Sequence, residues 1–201
     1  MDAPIELTIY FDYLSPWCFN TLIRLQQIKQ KWGDGVQMVW NSYMLFPEKK
    51  QQSVEMLHAY SHNWLHIANE PYSGEFRVWP LNRKPPDCSL PALVAAKVAQ
   101  SFGDLVFSHY QETLMRSYYW DHRDITNIEV LVQLADNCQI DTTLFEKLYH
   151  EPKWSEQIKE EHYQALALGI QTIPMVVVNN ERGLAGALSV EEYETVIQMY
   201  C

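Results

Sequence analysis

The change from a strand pattern to a helix pattern falls within Tyr10-Phe11-Asp12-Tyr13-Leu14-Ser15-Pro16-Trp17-Cys18-Phe19. Before it, apolar residues occupy every second position from Ile5 to Phe11, which is the period of a half-buried strand. After it, Ser15 is a favoured N-cap residue and Pro16 suits the first helical position. The pattern therefore predicts a strand followed at once by a helix, which ends near Gly33.

Further strands are predicted on both sides of a long helical region. A strand at Val36 to Asn41 completes a βαβ unit, whose right-handed crossover makes its two strands parallel. Near the end of the chain, strands are predicted at Met175 to Asn179 and at Leu184 to Ala187. The capping box Ser189-Val190-Glu191-Glu192 then begins a final helix.

The residues between these two halves follow helical spacing. Ser89 and Asp141 are predicted N-caps, and Thr126-x-x-Glu129 is a predicted capping box. We therefore predict an α/β fold in which an all-helical insertion forms a lid over a small sheet. The predicted division is residues 1–45 for the first half, residues 46–164 for the helical insertion, and residues 165–201 for the second half.

Composition restricts the classes of partner. The 201 residues include 15 Lys and Arg against 25 Asp and Glu, a net charge of -10, so binding to nucleic acid phosphates is not expected. The longest apolar runs, such as 173–178, are far shorter than the ~20 residues of a membrane span. No basic and then apolar leader precedes the first strand. We expect a soluble cytoplasmic protein that has no membrane partner.

The cysteines and histidines do not predict a metal site. The cysteines are Cys18, Cys88, Cys138 and Cys201, and no two of them have C-x-x-C spacing. His58, His62 and His66 recur every four residues, but no acidic or cysteine partner completes a zinc site. We interpret them as half-exposed residues beside the buried apolar stripe of a helix.

The opening segment resembles the active-site segment of the DsbA family of thioredoxin-fold proteins, in particular its FrnE-like branch, where Cys-Pro-Trp-Cys begins the first helix. Residues 169–175 resemble the cis-proline loop of that family, and residues 184–187 resemble its closing hairpin. The resemblance implies a thioredoxin fold with an inserted all-helical domain. It also implies a site with two catalytic residues, Ser15 and Cys18, and four substrate-binding residues, Pro16, Trp17, Ile173 and Pro174. Ser15 stands where the dithiol enzymes have their attacking cysteine.

This departure limits the chemistry. A hydroxyl cannot replace a thiolate in disulfide exchange, and Cys18 belongs to an inward stripe where thiols are weakly acidic. Ser15 can instead stabilise the thiolate of a bound thiol. A hydrogen bond to a charged group contributes about 1.5–3 kcal/mol. Together with the helix dipole, it would lower a thiol pKa from about 8.5 toward 7.

Three functions remain open. The first is a DsbA-like thiol-disulfide oxidoreductase with an atypical Ser-Pro-Trp-Cys motif, in which Cys18 or a bound small thiol exchanges with the substrate. The second is a glutathione-dependent isomerase or transferase, since kappa-class glutathione transferases and 2-hydroxychromene-2-carboxylate isomerases also have a Ser-Pro helix start. Those enzymes hold the γ-glutamyl group with Ser-Asp, which Gly186-Ala187-Leu188 lacks, although Ser189 and its helix N-terminus could compensate through backbone N–H groups. The third is a non-catalytic peptide-binding module.

The expected partners follow from these alternatives. They are a small thiol such as glutathione, or a peptide or protein thiol. A cis Ile173–Pro174 bond would leave the backbone of Ile173 free to pair with such a chain. No tightly bound cofactor is expected, glutathione would act as a cosubstrate, and the sequence does not predict an oligomeric state.

Overall fold

The computed structural model describes residues 3–201, which form one four-stranded sheet covered by helices. The sheet order is β2-β1-β3-β4, and the strands are β1 (Ile5–Phe11), β2 (Val36–Ser42), β3 (Met175–Val178) and β4 (Arg182–Ala185). Strand β1 pairs with β2 in parallel and with β3 antiparallel, and β3 pairs with β4 antiparallel. The predicted parallel βαβ unit is therefore present.

Nine α-helices lie within the described residues. They are α1 (Pro16–Trp32), α2 (Val54–Ser61), α3 (Trp64–Ala68), α4 (Leu90–Gln100), α5 (Asp104–Tyr119), α6 (Ile128–Asn137), α7 (Thr142–Tyr149), α8 (Pro152–Ala167) and α9 (Val190–Ile197). Short 3-10 turns follow α1 and α9, at Gly33–Gly35 and Gln198–Tyr200. No helix in residues 3–201 is both long enough and apolar enough to cross a bilayer.

Most predicted boundaries agree with the structure to within two residues, but one predicted cap is wrong. Asn127, not Thr126, is the N-cap of α6, and its side chain accepts a hydrogen bond from the Glu129 N–H. Thr126 instead donates its hydroxyl to the carboxylate of Asp124. Because the hydroxyl of Thr126 is bound to Asp124, Thr126 does not cap the helix.

The two faces of the sheet are buried in different clusters. One face of β1 carries Ile5, Leu7, Ile9 and Phe11, which belong to a large core that includes residues of both the sheet and the helices. The opposite face carries Tyr10, which packs in a smaller cluster with Tyr43, Ala165 and Ile170. The alternating pattern of the first strand thus divides its side chains between two buried faces.

A buried ion pair joins the helical region to the sheet. Lys97 on α4 lies 2.6 Å from Glu161 on α8, and it also donates to the Trp40 carbonyl of β2. The other carboxylate oxygen of Glu161 accepts the Ser42 N–H. The helices therefore form a lid fixed to the edge of the sheet. The division into residues 1–45, 46–164 and 165–201 remains a prediction, and α8 runs through its second boundary to Ala167.

The irregular segment after α3 packs closely on α1. The Gly74 N–H donates to the Asn20 side chain, and the Asn20 amide donates to the Ile67 carbonyl. A methyl group added at Gly74 would overlap the ring of Phe19, which is itself buried. The aromatic residues of this region mostly pack in the core, because Trp64, Phe76 and Trp79 are buried, whereas Tyr72 is exposed.

Gly74→Ala is expected to destabilise the protein. Phe19 lies against other aromatic rings and has little room to move, so the overlap should lower the free energy of unfolding by about 1–3 kcal/mol. Chemical denaturation would measure the loss. Gly35→Ala is the matched control, since no atom lies within 4 Å of its added methyl group. Equal stability of the two variants would show that the segment does not pack as described.

Candidate active site

The turn between β1 and α1 places Ser15 at the end of the helix. The Ser15 N–H donates to the Asp12 carbonyl at 3.2 Å, and the Leu14 N–H donates to the Asp12 side chain at 2.8 Å. Ser15 is the N-cap of α1, and its Oγ accepts the Cys18 N–H at 3.3 Å. Pro16 is buried as the first helical residue, whereas the Trp17 side chain is 39% exposed.

Cys18 lies beneath this turn and is fully buried. Burial raises the pKa of its thiol to about 12, although the Ser15 hydroxyl and the Asp12 N–H both lower it in part. The Cys18 thiol is therefore protonated at neutral pH. Cys18 is therefore a weak nucleophile in this conformation, as its inward position in the sequence pattern predicts.

The proline loop lies at the same end of the sheet as Ser15. The β1–β3 register pairs Tyr10 with Met175, so the preceding residues of β3 lie beside the residues that lead from β1 into α1. The Ile173–Pro174 peptide bond is cis, and the Pro174 carbonyl accepts the Gly186 N–H at 2.8 Å. Of the loop and turn hydrogen bonds within residues 3–201, none uses the backbone of Ile173.

Asp12 connects this turn to two other segments, a role that the sequence analysis did not assign. Its carboxylate is fully buried and accepts the N–H groups of Leu14 and Leu45, the latter at 2.7 Å. The hydroxyl of Ser89, which precedes α4, also lowers the pKa of this carboxylate in part. Burial nevertheless raises the pKa of Asp12 from 3.8 to about 6, because the lost hydration outweighs the interactions with Leu14, Leu45 and Ser89.

Comparison with known proteins places the chain in a family. A profile described as the DSBA-like thioredoxin domain matches residues 6–198. The chain belongs to this family. The predicted DsbA-like thioredoxin fold, an α/β fold with helices inserted between its two halves, is therefore confirmed.

Individual relatives of this DSBA-like protein are distant. The ClpXP adapter protein SpxH of Bacillus subtilis is 21% identical over 96% of this chain and 67% of its own length. The cytosolic disulfide reductase DsbM of Pseudomonas aeruginosa has a TM-score of 0.73 at 16% identity over 96% of this chain and 99% of its own, and a DsbM structure with GSH has a TM-score of 0.72. A 2-hydroxychromene-2-carboxylate isomerase has a TM-score of 0.67 at 15% identity, over 98% and 96% of the two chains. At these identities the likeness shows the fold alone.

The residues at the start of α9 already make hydrogen bonds within the chain. Ser189 forms the predicted capping box with Glu192, using both its hydroxyl and its N–H. The buried guanidinium of Arg24 donates to the carbonyls of Ala187 and Leu188 at 2.7 Å and 3.1 Å. A γ-glutamyl group bound at Ser189 would therefore have to displace Glu192 from the capping box.

The three histidines at four-residue spacing do not share one continuous helix. The helix predicted through them is interrupted, because α2 ends at Ser61 and α3 begins at Trp64. His58 Nδ1 lies 2.6 Å from the Trp79 carbonyl, which fits a structural hydrogen bond. Within residues 3–201 no three His, Cys, Asp or Glu side chains are grouped as metal ligands.

The other cysteines are free thiols, and two of them are buried. Cys88 and Cys138 are buried, whereas Cys201 is exposed at the end of the chain. Burial raises the pKa of Cys88 to about 11, and the neighbouring Asp87 carboxylate adds to this increase. Cys88 is therefore a neutral thiol at physiological pH, although it lies next to Ser89.

Asp12→Asn is expected to change the pH dependence of stability. Because the folded pKa of about 6 lies above the unfolded value of 3.8, the native state holds the Asp12 proton more tightly in that interval. Asp12 therefore contributes stability at low pH that is lost as the pH rises through 6. The free energy of unfolding of the wild type, minus that of Asp12→Asn, should fall by roughly 1–3 kcal/mol between pH 4 and pH 7.

Urea unfolding at several pH values would measure this difference. Asp34→Asn is the matched control, because the Asp34 side chain is exposed. Its difference from the wild type should stay nearly constant over the same interval. If the free energy of unfolding of the wild type minus that of Asp12→Asn instead rises with pH, burial does not raise the Asp12 pKa as described.

Proposed function

We propose that this DSBA-like protein is a thiol-disulfide oxidoreductase whose reacting thiolate belongs to bound glutathione rather than to a cysteine of the chain. The observation that carries the proposal is the contrast at the start of α1. Ser15 occupies the N-cap at the positive end of α1 and is 5% exposed, with a hydroxyl hydrogen available to a sulfur atom, whereas Cys18 lies one turn deeper, is fully buried and has a pKa of about 12. The start of α1 is thus better suited to bind the thiolate of another molecule at Ser15 than to ionise its own Cys18.

The Ser15 hydroxyl has the required hydrogen-bonding capacity. Its oxygen accepts the Cys18 N–H, so its own hydrogen can be donated. In the free protein the neutral Cys18 sulfur lies within its reach. A charged thiolate is a stronger acceptor than a neutral thiol, so glutathione entering beside Trp17 would compete for this hydrogen.

The proposed reaction is a pair of thiol-disulfide exchanges. The glutathione thiolate attacks one sulfur of a substrate disulfide, forms a mixed disulfide with it and releases the other sulfur as a thiolate, which takes up a proton. A second glutathione thiolate then attacks the mixed disulfide, which releases the reduced substrate and leaves oxidised glutathione. Two electrons pass from two glutathione molecules to the substrate, and no cysteine of the chain changes its oxidation state.

Two further observations support glutathione as the thiol. The backbone of Ile173 makes no loop hydrogen bond within the described residues, so it can pair with an extended peptide such as glutathione. DsbM, a structural neighbour described as a cytosolic disulfide reductase, has been solved with GSH. A cytoplasmic location belongs to the same proposal, and the four free cysteines fit a reducing compartment.

A glutathione-dependent isomerase or transferase is the second candidate. The neighbouring 2-hydroxychromene-2-carboxylate isomerase and the Ser-Pro helix start favour it. The same Ser15-bound thiolate would add to an apolar electrophile instead of a disulfide. Turnover of a chromene or aryl halide in the absence of any disulfide substrate would favour this candidate over the oxidoreductase.

A binding module is the third candidate, and the similarity to the adapter SpxH favours it. Calorimetric titration with glutathione at neutral pH separates it from the two enzymes. We expect binding in the micromolar to millimolar range, with proton release because the bound form is the thiolate. Absence of heat at tens of millimolar glutathione would exclude both enzymatic candidates and leave the binding module.

A further inference from the structure

An open groove lies between the segment after β2 and the outer face of α8. It has a volume of about 630 Å³, within the range of ligand-binding sites. One wall consists of Leu45 and Phe46, and the other consists of Tyr163 and Leu166. Lys49, Lys50 and Lys159 line it as well, and we call this surface the basic groove.

The position of the basic groove is fixed relative to Ser15. The Leu45 N–H donates to the carboxylate of Asp12, whose carbonyl accepts the Ser15 N–H. The Met44 N–H donates to His162 Nδ1 on α8, so both walls are joined below the groove. Burial lowers the pKa of His162, and its Nδ1 is an acceptor here, so the imidazole adds no charge at neutral pH.

The apolar walls of the basic groove are unusually exposed. Leu45 is 39%, Leu166 is 44% and Tyr163 is 65% accessible to solvent. Adjacent large apolar side chains at the surface are typical of an interaction site. Lys159, Tyr163 and Leu166 follow helical spacing over two turns of α8, about 10 Å, which matches about three residues of an extended peptide.

The charge of the basic groove differs from that of the whole protein. The chain carries a net charge of -10, yet three lysines line the groove against one carboxylate, Glu48. Within residues 3–201 none of these lysines forms an ion pair. Unpaired positive charges beside an apolar strip are complementary to a segment that alternates carboxylates with apolar side chains.

We propose that the basic groove binds an acidic peptide segment of the disulfide substrate, with an apolar side chain between Leu45 and Leu166 and carboxylates against the lysines. This inference rests on the proposed function, because it names the class of substrate that the Ser15 site would reduce. The hydrogen bond from the Leu45 N–H to the Asp12 carboxylate joins one end of the groove to the turn that carries Ser15. A peptide seated in it would therefore lead toward the bound glutathione.

The test uses fluorescence anisotropy with a short labelled peptide in which aspartate and glutamate flank leucine and phenylalanine. The peptide contains no cysteine, so binding is measured apart from chemistry. We expect it to bind the full chain, whereas the same peptide with lysines in place of its acidic residues should not bind. Lys49→Glu combined with Lys50→Glu should weaken binding at least about tenfold, because two attractive contacts become repulsive. Raised salt should weaken binding of the wild type as well.

Lys84→Glu combined with Lys147→Glu is the matched control, since both lysines are exposed and neither lines the groove. It should change the affinity less than twofold. Equal binding of acidic and basic peptides, or no effect of the Lys49 and Lys50 reversal, would overturn the inference. Self-association of the wild type that the reversal abolishes would also overturn it, because a second copy would then occupy the groove. Glutathione binding should be the same in both double variants, so a loss of glutathione binding would contradict the proposed function instead.

Discussion

Ser15→Cys is expected to give the protein a reactive dithiol that the wild type lacks. A cysteine at the N-cap of α1 meets the positive helix end and the Cys18 N–H, and such positions lower a thiol pKa to about 3.5–7.5. The new sulfur would also lie close to the thiol of Cys18, whose pKa the Ser15 hydroxyl lowers in part. The variant should therefore be alkylated at neutral pH at least about 100 times faster than the buried thiols of the wild type, Cys18, Cys88 and Cys138.

Oxidation supplies a second measurement on this variant. Ser15→Cys should form one intramolecular disulfide. With dithiothreitol as the reductant and no glutathione present, it should accelerate the reduction of an added protein disulfide. Ser53→Cys is the matched control, because Ser53 is also an N-cap whose side chain accepts the N–H three residues later, but Met56 stands where Cys18 stands. Ser53→Cys should form no intramolecular disulfide, and a Ser15→Cys thiol no more reactive than the exposed Cys201 would show that the start of α1 does not activate sulfur.

Ser15→Ala is expected to remove most of the glutathione-dependent activity. The lost hydrogen bond to the thiolate is worth about 1.5–3 kcal/mol, which corresponds to roughly 10-fold to 150-fold in kcat/KM. The pKa of bound glutathione should rise back toward about 8.5, so the activity that remains should increase over a higher pH range. With saturating disulfide substrate, kcat/KM for glutathione would measure the first effect, and the pH profile of kcat at saturating glutathione would measure the second.

The controls for Ser15→Ala separate catalysis from helix capping. Removing any N-cap serine costs about 0.5–2 kcal/mol of stability, so Ser53→Ala should lose similar stability without losing activity. Ser15→Thr keeps a hydroxyl and should retain more activity than Ser15→Ala. Full activity in Ser15→Ala, with an unchanged pH profile, would contradict the role proposed for the hydroxyl.

Sequence periodicity predicted the scaffold of this site because local rules determine it. Ser15 and Pro16 carry their own signal for the start of a helix, and the burial of Cys18 follows from the apolar spacing of α1. The cis-proline loop was predicted only through family resemblance, since an X-Pro bond gives no local sign of its isomer. The corrected cap at Asn127 shows the limit of local reasoning, because competition from Asp124 decided which residue begins α6.

Long-range contacts explain what the sequence did not reveal. Asp12 was visible in the motif, but its partners Leu45 and Ser89 lie 33 and 77 positions later in the chain. The basic groove likewise combines the adjacent Lys49 and Lys50 with Lys159, which is 109 positions after Lys50, on a helix whose neighbouring residues are acidic. Periodicity identifies which face of an element is buried, but it does not identify the segment that the face meets.

The most direct test of the account is a crystal structure of the protein with glutathione. We predict a tripeptide between the start of α1 and the proline loop, with its sulfur at hydrogen-bonding distance from Ser15 Oγ and its backbone paired with Ile173. A glutathione sulfur bound elsewhere, or one bonded covalently to Cys18 with Ser15 uninvolved, would contradict the claim that this serine holds the reacting thiolate.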